Sequence, residues 1–154
     1  MTVRVQTEDF DTGAEISALR RGDAKIGAVA AFIGLVRDVN EGSKVNSMTL
    51  EHYPGMTERS LERIVLDAKS RFKVEHVLVV HRVGELLPTD QIVLVVTAGG
   101  HRGDVFSACE YIMDYLKTEA PFWKREASME GARWVASRQS DEEAAARWTE
   151  KLDG

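Results

Sequence analysis

The amino-acid sequence predicts a single domain, residues 1–154, of the α+β class, with helices covering one face of a mixed or antiparallel sheet. Of the 154 residues, 44% are hydrophobic and 29% are charged, which is typical of an ordinary globular domain. Short apolar or alternating runs indicate strands, and apolar stripes with helical spacing separate them. Their order along the chain, βαββαββαββα, is α+β in character.

The first elements are a strand, a helix and a covered strand. Residues 3–5 alternate between apolar and polar side chains, which predicts a short strand. The spacing Thr12-x-x-Glu15 is typical of a capping box and predicts the start of a helix. The apolar run 27–36 is too short for most buried helices, so it predicts a covered strand. The polar segment 37–46 predicts a mobile loop.

The middle of the chain predicts a strand, a helix and a hairpin. Residues 48–53 alternate in polarity and stop at Pro54, which predicts a strand. Apolar side chains between residues 61 and 72 repeat at helical spacing and predict a helix packed on a sheet. The β-rich runs 74–83 and 91–97 flank a short turn-like segment, which favours a hairpin.

The last third predicts a helix, two strands and a terminal helix. Apolar residues between 105 and 116 repeat at helical spacing, and Pro121 ends that helix. Residues 122–127 and 133–137 predict strands, and a capping box at Ser140 predicts the final helix. We expect these last two strands and the terminal helix to form a small subdomain.

Charge and hydropathy exclude several classes of function. The chain has 20 Lys and Arg against 25 Asp and Glu, a net charge of -5, which argues against a generic binder of nucleic acid or anionic membrane. No apolar run approaches the roughly 20 residues of a membrane span. The N-terminal segment is polar where a signal peptide needs its hydrophobic stretch. The sequence therefore predicts a cytoplasmic protein.

Cysteine and histidine usage predicts that the chain holds no metal. With 1 Cys, the chain cannot form an intrachain disulfide, a multi-cysteine zinc site or a Cys-x-x-Cys redox centre. The histidines do not follow the spacing of a known metal-binding motif. Cys109 lies on the apolar stripe of the predicted third helix, so we expect a buried side chain rather than a nucleophile.

The segment GGHRGD, residues 99–104, is a candidate anion site. It joins a predicted strand to a predicted helix, where free backbone N–H groups and the helix dipole favour an anion. Arg102 can make a bidentate contact with phosphate, and His101 supplies another donor. The segment matches neither the Walker pattern nor G-x-G-x-x-G. The alternative is a glycine-rich turn with two exposed basic side chains.

Lys117 and Lys124 are candidate catalytic residues. They lie on either side of Pro121, one at the end of the predicted third helix and the other in the following strand. A turn at Pro121 would make them converge, and their apolar neighbours would weaken their hydration. The alternative is that both are solvated and that Lys117 only complements the helix C-terminus.

Five segments resemble the MoaE family, the large, catalytic subunit of molybdopterin synthase. They are FIGLVRDVN (32–40), TLEHYPGM (49–56), VVHRVGEL (79–86), GGHRGD (99–104) and YIMDYLKTEAPFWKRE (111–126). The last segment, with 16 consecutive residues, is the most specific. The chain departs from the family pattern at Gly100, where Ala or Ser is frequent, and at Gly103-Asp104, where Ser is common. Neither departure changes a basic residue.

This resemblance implies a fold, an assembly and a reaction. The implied fold is an α/β hammerhead-type domain with an additional small antiparallel β subdomain. The implied assembly is a heterotetramer, in which a central homodimer carries a small ubiquitin-like partner at each end. The partner's C-terminal Gly-Gly tail ends in a thiocarboxylate, which supplies sulfur to cyclic pyranopterin monophosphate and so forms the dithiolene of molybdopterin. No cofactor or metal is implied.

The resemblance also implies roles for single residues. Lys117 and Lys124 match the catalytic lysines of the family. Four further residues match positions that bind the substrate phosphate or the partner's terminus, some of them across the dimer interface: Arg37, His101, Arg102 and Arg138. Two alternatives belong to other classes, a nonenzymatic phosphate- or nucleotide-binding module and a dimeric scaffold. Neither alternative requires the two lysines to be chemically competent.

Overall fold

The structure is a computed structural model that describes residues 3–40, 43–128, 131–135 and 139–153. It confirms the α+β class. The strands are β1 Val3–Gln6, β2 Ala28–Leu35, β3 Val39–Asn40, β4 Ser43–His52, β5 His76–Arg82, β6 Gly84–Leu86, β7 Gln91–Gly99, β8 Phe122–Ser128 and β9 Gly131–Val135. The helices are α1 Thr12–Arg20, α2 Met56–Arg71, α3 Arg102–Glu119 and α4 Gln139–Asp153.

The first sheet is mixed and has the strand order β1-β5-β7-β2. β1 runs parallel to β5, whereas the β5–β7 and β7–β2 pairs are antiparallel. The predicted hairpin of β5 and β7 is confirmed. These two central strands consist almost entirely of buried residues, so they form the middle of the core.

Helices cover both faces of this sheet, so the prediction of one covered face is wrong. Val79 and Val95 pack with the buried faces of α2 and α3. Leu78 and Leu94, which alternate with them, pack against α1 through side chains that include Ile16. The physical reason lies in the continuous apolar runs of β5 and β7, because such runs are typical of strands that are buried on both faces.

The second sheet is antiparallel throughout the described residues and confirms the additional small β subdomain. Its strand order is β3-β4-β8-β9, and β6 also pairs with β4. The predicted composition of the subdomain was wrong, because β4 pairs with β8 and α4 packs on the main core. Trp148 of α4 contacts Phe72 and Tyr111, and its Nε1 donates to Asp114 Oδ2 at 2.6 Å.

The segment 37–46 contains β3 and the start of β4, so the prediction of a mobile loop is wrong over these strands. β3 and the start of β4 pair with each other, and β4 pairs with β8 from Val45 onward. The backbone bonds between strands do not require apolar side chains. The predicted start of α1 is also corrected, because Asp11 rather than Thr12 caps the helix by accepting from the backbone N–H of Ala14 at 3.1 Å.

Among the described residues, none of the helices has the length and apolar character needed to cross a membrane.

Candidate active site

Lys124 lies on the inner face of the second sheet. In the β4–β8 register, Lys124 is opposite Leu50 and Phe122 is opposite His52. Residues opposite each other in an antiparallel pair share a face, as do alternate residues of one strand. Leu50 is buried, so Lys124 shares the face that points to the interior and is itself partly buried. Trp123 points to the outer face, where it lies edge-on against a tyrosine ring.

Lys117 lies in the last turn of α3, near the same face. Burial lowers the pKa of His81, and the positive charge of nearby Lys117 lowers it further. The His81 ring stacks on Phe122, with centroids 3.9 Å apart and planes 19° apart. Because Phe122 precedes Lys124 on the inner face, the two lysines lie around this ring stack. The candidate active site is therefore the region around Phe122, His81 and the two lysines.

His81 borders this site with a neutral imidazole that is held by a hydrogen bond. Its side chain is buried, and its Nδ1 lies 2.9 Å from the carbonyl oxygen of Arg82. A carbonyl oxygen only accepts hydrogen bonds, so Nδ1 carries the proton and Nε2 keeps a lone pair. The pKa of His81 is lowered to about 4, chiefly by burial; the hydrogen bond to the carbonyl of Arg82 opposes this shift, and the nearby Lys117 and His52 add to it. The site therefore contains an imidazole that stays uncharged at neutral pH.

The burial of His81 should make the protein less stable in mild acid. The folded-state pKa of about 4 lies below the unfolded value of about 6.5. As the pH falls from 6.5, the unfolded chain binds a proton that the folded chain does not. The free energy of unfolding should drop by about 2 kcal/mol between pH 7.5 and pH 5 through this group alone.

Urea denaturation of the wild type and of His81→Gln over this pH range measures that contribution. We expect the difference in stability between the two proteins to change with pH by this amount, with the wild type losing more. A difference that stays constant from pH 7.5 to pH 5 would contradict the neutral, buried state of His81.

A second histidine, His52, is held at the site by the start of α2. Its Nε2 lies 3.5 Å from Oε1 of Glu58. The other oxygen of Glu58, Oε2, accepts from the backbone N–H of Gly55 at 2.6 Å. Gly55 has a φ of 86°, which favours glycine and allows the sharp passage from β4 into α2. Glu58 Oε1 is buried without a hydrogen-bond partner in the described part of the chain, so His52 is its nearest ion-pair partner there.

The GGHRGD segment forms the predicted junction between a strand and a helix. β7 ends at Gly99 and α3 begins at Arg102, with His101 as its N-cap residue in extended conformation. A Cβ atom on Gly27 would lie 2.5 Å from the carbonyl oxygen of Gly100, so glycine is required for the close approach of these two segments. The side chains of His101 and Arg102 are exposed, as an anion site at the helix N-terminus requires.

Cys109 is buried, as predicted, and burial raises the pKa of its thiol to about 11. Its Sγ lies 3.9 Å from the carbonyl oxygen of Val95, inside the core. A thiol in this environment is a poor nucleophile. Within the residues that the structure describes, no group of three or more His, Cys, Asp or Glu side chains is placed to hold a metal ion.

Comparison with known proteins identifies the family. Residues 5–119 match the family described as MoaE protein. The chain belongs to this family. A molybdopterin synthase catalytic subunit from Ralstonia nicotianae is 63% identical to this MoaE chain over 147 residues, which cover 96% of this chain and 84% of the relative.

Solved structures have the same fold as this MoaE chain. The molybdopterin biosynthesis MoaE protein from Burkholderia ambifaria matches with a TM-score of 0.82 and 56% identity, over 96% of this chain and 97% of the other. A protein–protein complex of subunits 1 and 2 of molybdopterin-converting factor from Helicobacter pylori contains a chain that matches with a TM-score of 0.70 and 20% identity. That match covers 90% of this chain and 92% of the other.

The MoaE chain brings only some of the predicted site residues together. Lys117 and Lys124 lie around the Phe122 stack, and Arg37 is near this end of the molecule because the preceding Val36 packs in the same apolar cluster as Leu50. His101 and Arg102 lie at the opposite end of α3, about 22 Å from Lys117 at the rise of an α-helix. Arg138 lies outside the described residues.

His52 and His81 lie at the candidate site but were not predicted from the sequence. The MoaE sequence does indicate that both histidines are near the interior. His52 is two residues from Leu50, so it falls on the buried face of its strand, and His81 ends the apolar run of β5. A histidine on the apolar face of a strand carries no indication of the distant residues that it will contact.

Proposed function

We propose that this chain is the catalytic subunit of a molybdopterin synthase. In this proposal, it transfers sulfur from the thiocarboxylate of a small partner protein to cyclic pyranopterin monophosphate. The single observation that carries the proposal is that Phe122, which shares the inner face of β8 with Lys124, stacks on His81, the residue that the charge of Lys117 also reaches. The names of relatives that are more than half identical to this chain support it.

The chemistry of the reaction fits these residues. The thiocarboxylate and the substrate phosphate are both anionic, and lysine ammonium groups beside an apolar wall stabilise such charges more strongly than they would in water. A lysine can also protonate the oxygen that leaves when sulfur is introduced, or hold the acyl end of the tail in place. His81 supports this role because it adds no positive charge of its own at neutral pH.

Sulfur must come from outside the chain in this proposal. Cys109, the 1 cysteine of the sequence, is buried in the core and has a raised pKa, so it is not suited to carry a persulfide. A small partner with a C-terminal Gly-Gly thiocarboxylate supplies the sulfur instead. The description of relatives as catalytic subunits supports a second, separate subunit. We place the complex in the cytoplasm, in agreement with the sequence prediction.

We further propose that the active site is completed by a second copy of the chain. One chain leaves His101 and Arg102 about 22 Å from Lys117, which is too far for one phosphate to bridge. A homodimer can bring Arg102 of one protomer to Lys117 of its partner. The edge strand β2 supports this assembly, because it exposes four large apolar side chains: Val29, Phe32, Ile33 and Leu35.

The proposed function is tested by reconstitution. The purified chain, a partner carrying the thiocarboxylate and cyclic pyranopterin monophosphate should together form molybdopterin, which is detected by its oxidised fluorescent derivative. Omission of any one component should abolish the product. No product in the complete mixture would contradict the proposal and favour a nonenzymatic binding module or a scaffold.

A further inference from the structure

The turn between the two lysines is held by a buried threonine from a distant part of the sequence. Thr57 is the second residue of α2 and is completely buried. Its Oγ1 donates a hydrogen bond to the carbonyl oxygen of Pro121 at 2.9 Å. The same Oγ1 accepts from the backbone N–H of Tyr53 at 3.0 Å. The hydroxyl group therefore joins the end of β4, the start of α2 and the turn that leads into β8.

This hydrogen bond lies at the turn between the two lysines, so it can affect the geometry of the candidate site. Pro121 lies between Lys117, at the end of α3, and Lys124, in β8. Proline has no N–H, so its carbonyl is the polar backbone group through which this residue can be held. A threonine hydroxyl has one hydrogen to donate, and Thr57 uses it on this carbonyl. Thr57 therefore helps to fix β8 relative to the end of α3, together with the pairing of β8 with β4 and the hydrogen bond from the N–H of Phe122 to the carbonyl oxygen of Ala120 at 2.9 Å.

The backbone of Thr57 makes a further hydrogen bond to the end of β4. Its N–H donates to the carbonyl oxygen of Tyr53 at 2.9 Å, so both polar backbone groups of Tyr53 are bonded to Thr57. His52, the residue before Tyr53, is opposite Phe122 in the strand register. The same residue therefore holds the end of β4 and the turn before β8, the two segments that flank the ring stack.

We propose that Thr57 is a positioning residue for sulfur transfer, and that its hydroxyl holds the Pro121 turn in the conformation in which Lys117 and Lys124 act on one substrate. This inference rests on the proposed function of the two lysines. Thr57 acts through the turn and does not touch the reacting atoms. A misplacement of about 1 Å in a catalytic group can lower the rate about 100-fold, so a small shift of this turn is sufficient for a large effect.

Three substitutions of the full chain, assayed with the thiocarboxylated partner, test the proposal. Thr57→Val keeps the shape of the side chain and removes the hydroxyl, and it should lower kcat by about 10-fold to 100-fold with little change in the KM of the cyclic substrate. Thr57→Ser keeps the hydroxyl and should retain most of kcat. Thr97→Val is the matched control, because Thr97 is equally buried and its Oγ1 donates to the carbonyl oxygen of Val105 at 2.7 Å. It should lower the melting temperature and leave kcat unchanged.

Combination with Lys117→Ala separates positioning from general destabilisation. If Thr57 acts through the lysines, Thr57→Val should lower kcat much less in the Lys117→Ala background than in the wild type. A structural effect would multiply the two losses. Should Thr57→Val fail to fold, Thr57→Cys, whose thiol is a weak donor, should show an intermediate kcat.

Two results would overturn the proposal: wild-type kcat in folded Thr57→Val or Thr57→Cys, or losses that multiply in the double variant. Failure of the proposed function looks different. If Lys117→Ala and Lys124→Ala both keep wild-type activity, the lysine assignment fails whatever Thr57 does. If the lysine variants are inactive while Thr57→Val has wild-type kcat, only the positioning role fails.

Discussion

Replacing Lys117 by alanine should lower sulfur transfer by a factor on the order of 100 or more, while the melting temperature and partner binding stay nearly unchanged. The side chain is exposed at the end of α3, where a lysine contributes only about 0.3 to 1 kcal/mol through the helix dipole. The structural loss is therefore small. The catalytic loss is large because a general acid or a stabilising charge is removed beside the His81–Phe122 stack.

Two further variants make this prediction specific. Lys117→Arg should restore little activity, because a planar guanidinium neither releases its proton nor matches the geometry of an ammonium group. Lys69→Ala is the matched control, since Lys69 is an exposed lysine in the last turn of α2 and plays no part in the site. Near-normal turnover of Lys117→Ala would refute its role and make Lys124 the principal candidate.

If the site is shared between protomers, mixing two single variants should give more activity than either variant has alone. Lys117→Ala and Arg102→Ala remove basic side chains at opposite ends of α3. In a mixed dimer, one site then contains both substitutions and the other contains neither. A mixed dimer, isolated through two different affinity tags, should therefore have about half the activity of the wild-type dimer.

The alternative arrangement gives a different result. If Lys117 and Arg102 of the same chain served one site, each site of the mixed dimer would carry one substitution, and its activity would stay at the level of the single variants. Each variant alone is taken through the same subunit-exchange procedure. These samples control for activity that is regained during handling. Absence of restored activity in the purified mixed dimer would contradict the shared site.

The central elements of the main core could be predicted from local pattern, whereas β2, predicted to be a covered strand, is an edge strand with mostly exposed side chains. α2 and α3 have apolar stripes at helical spacing, and β5 and β7 are apolar runs whose side chains are buried in the structure. Such patterns depend only on residues that are close in sequence. They can be recognised without knowing which element packs against them. The start of β4 could not be predicted in this way, because its polar residues become a strand through pairing with β3 and, from Val45 onward, with β8, far along the chain.

In the candidate site, too, the relations between residues close in sequence were predictable, and those between residues far apart in sequence were not. The placement of Lys117 and Lys124 on either side of one turn was predictable, since Pro121 lies between them in the sequence. The contributions of His52, Thr57 and His81 were not, because each comes from an element far from the lysines in sequence. The separation of Arg102 from Lys117 follows from helix length alone, and the proposal of a second protomer rests on it.

Isotopic labelling of the partner tests the central claim most directly. We propose a measurement with ³⁴S in the thiocarboxylate, unlabelled protein and unlabelled cyclic pyranopterin monophosphate, followed by mass spectrometry of the molybdopterin formed. Both dithiolene sulfurs should carry the label, and Cys109→Ala should give the same labelled product because its thiol is buried. Unlabelled sulfur in the product, or loss of product in folded Cys109→Ala, would contradict the account, since sulfur would then pass through this chain itself.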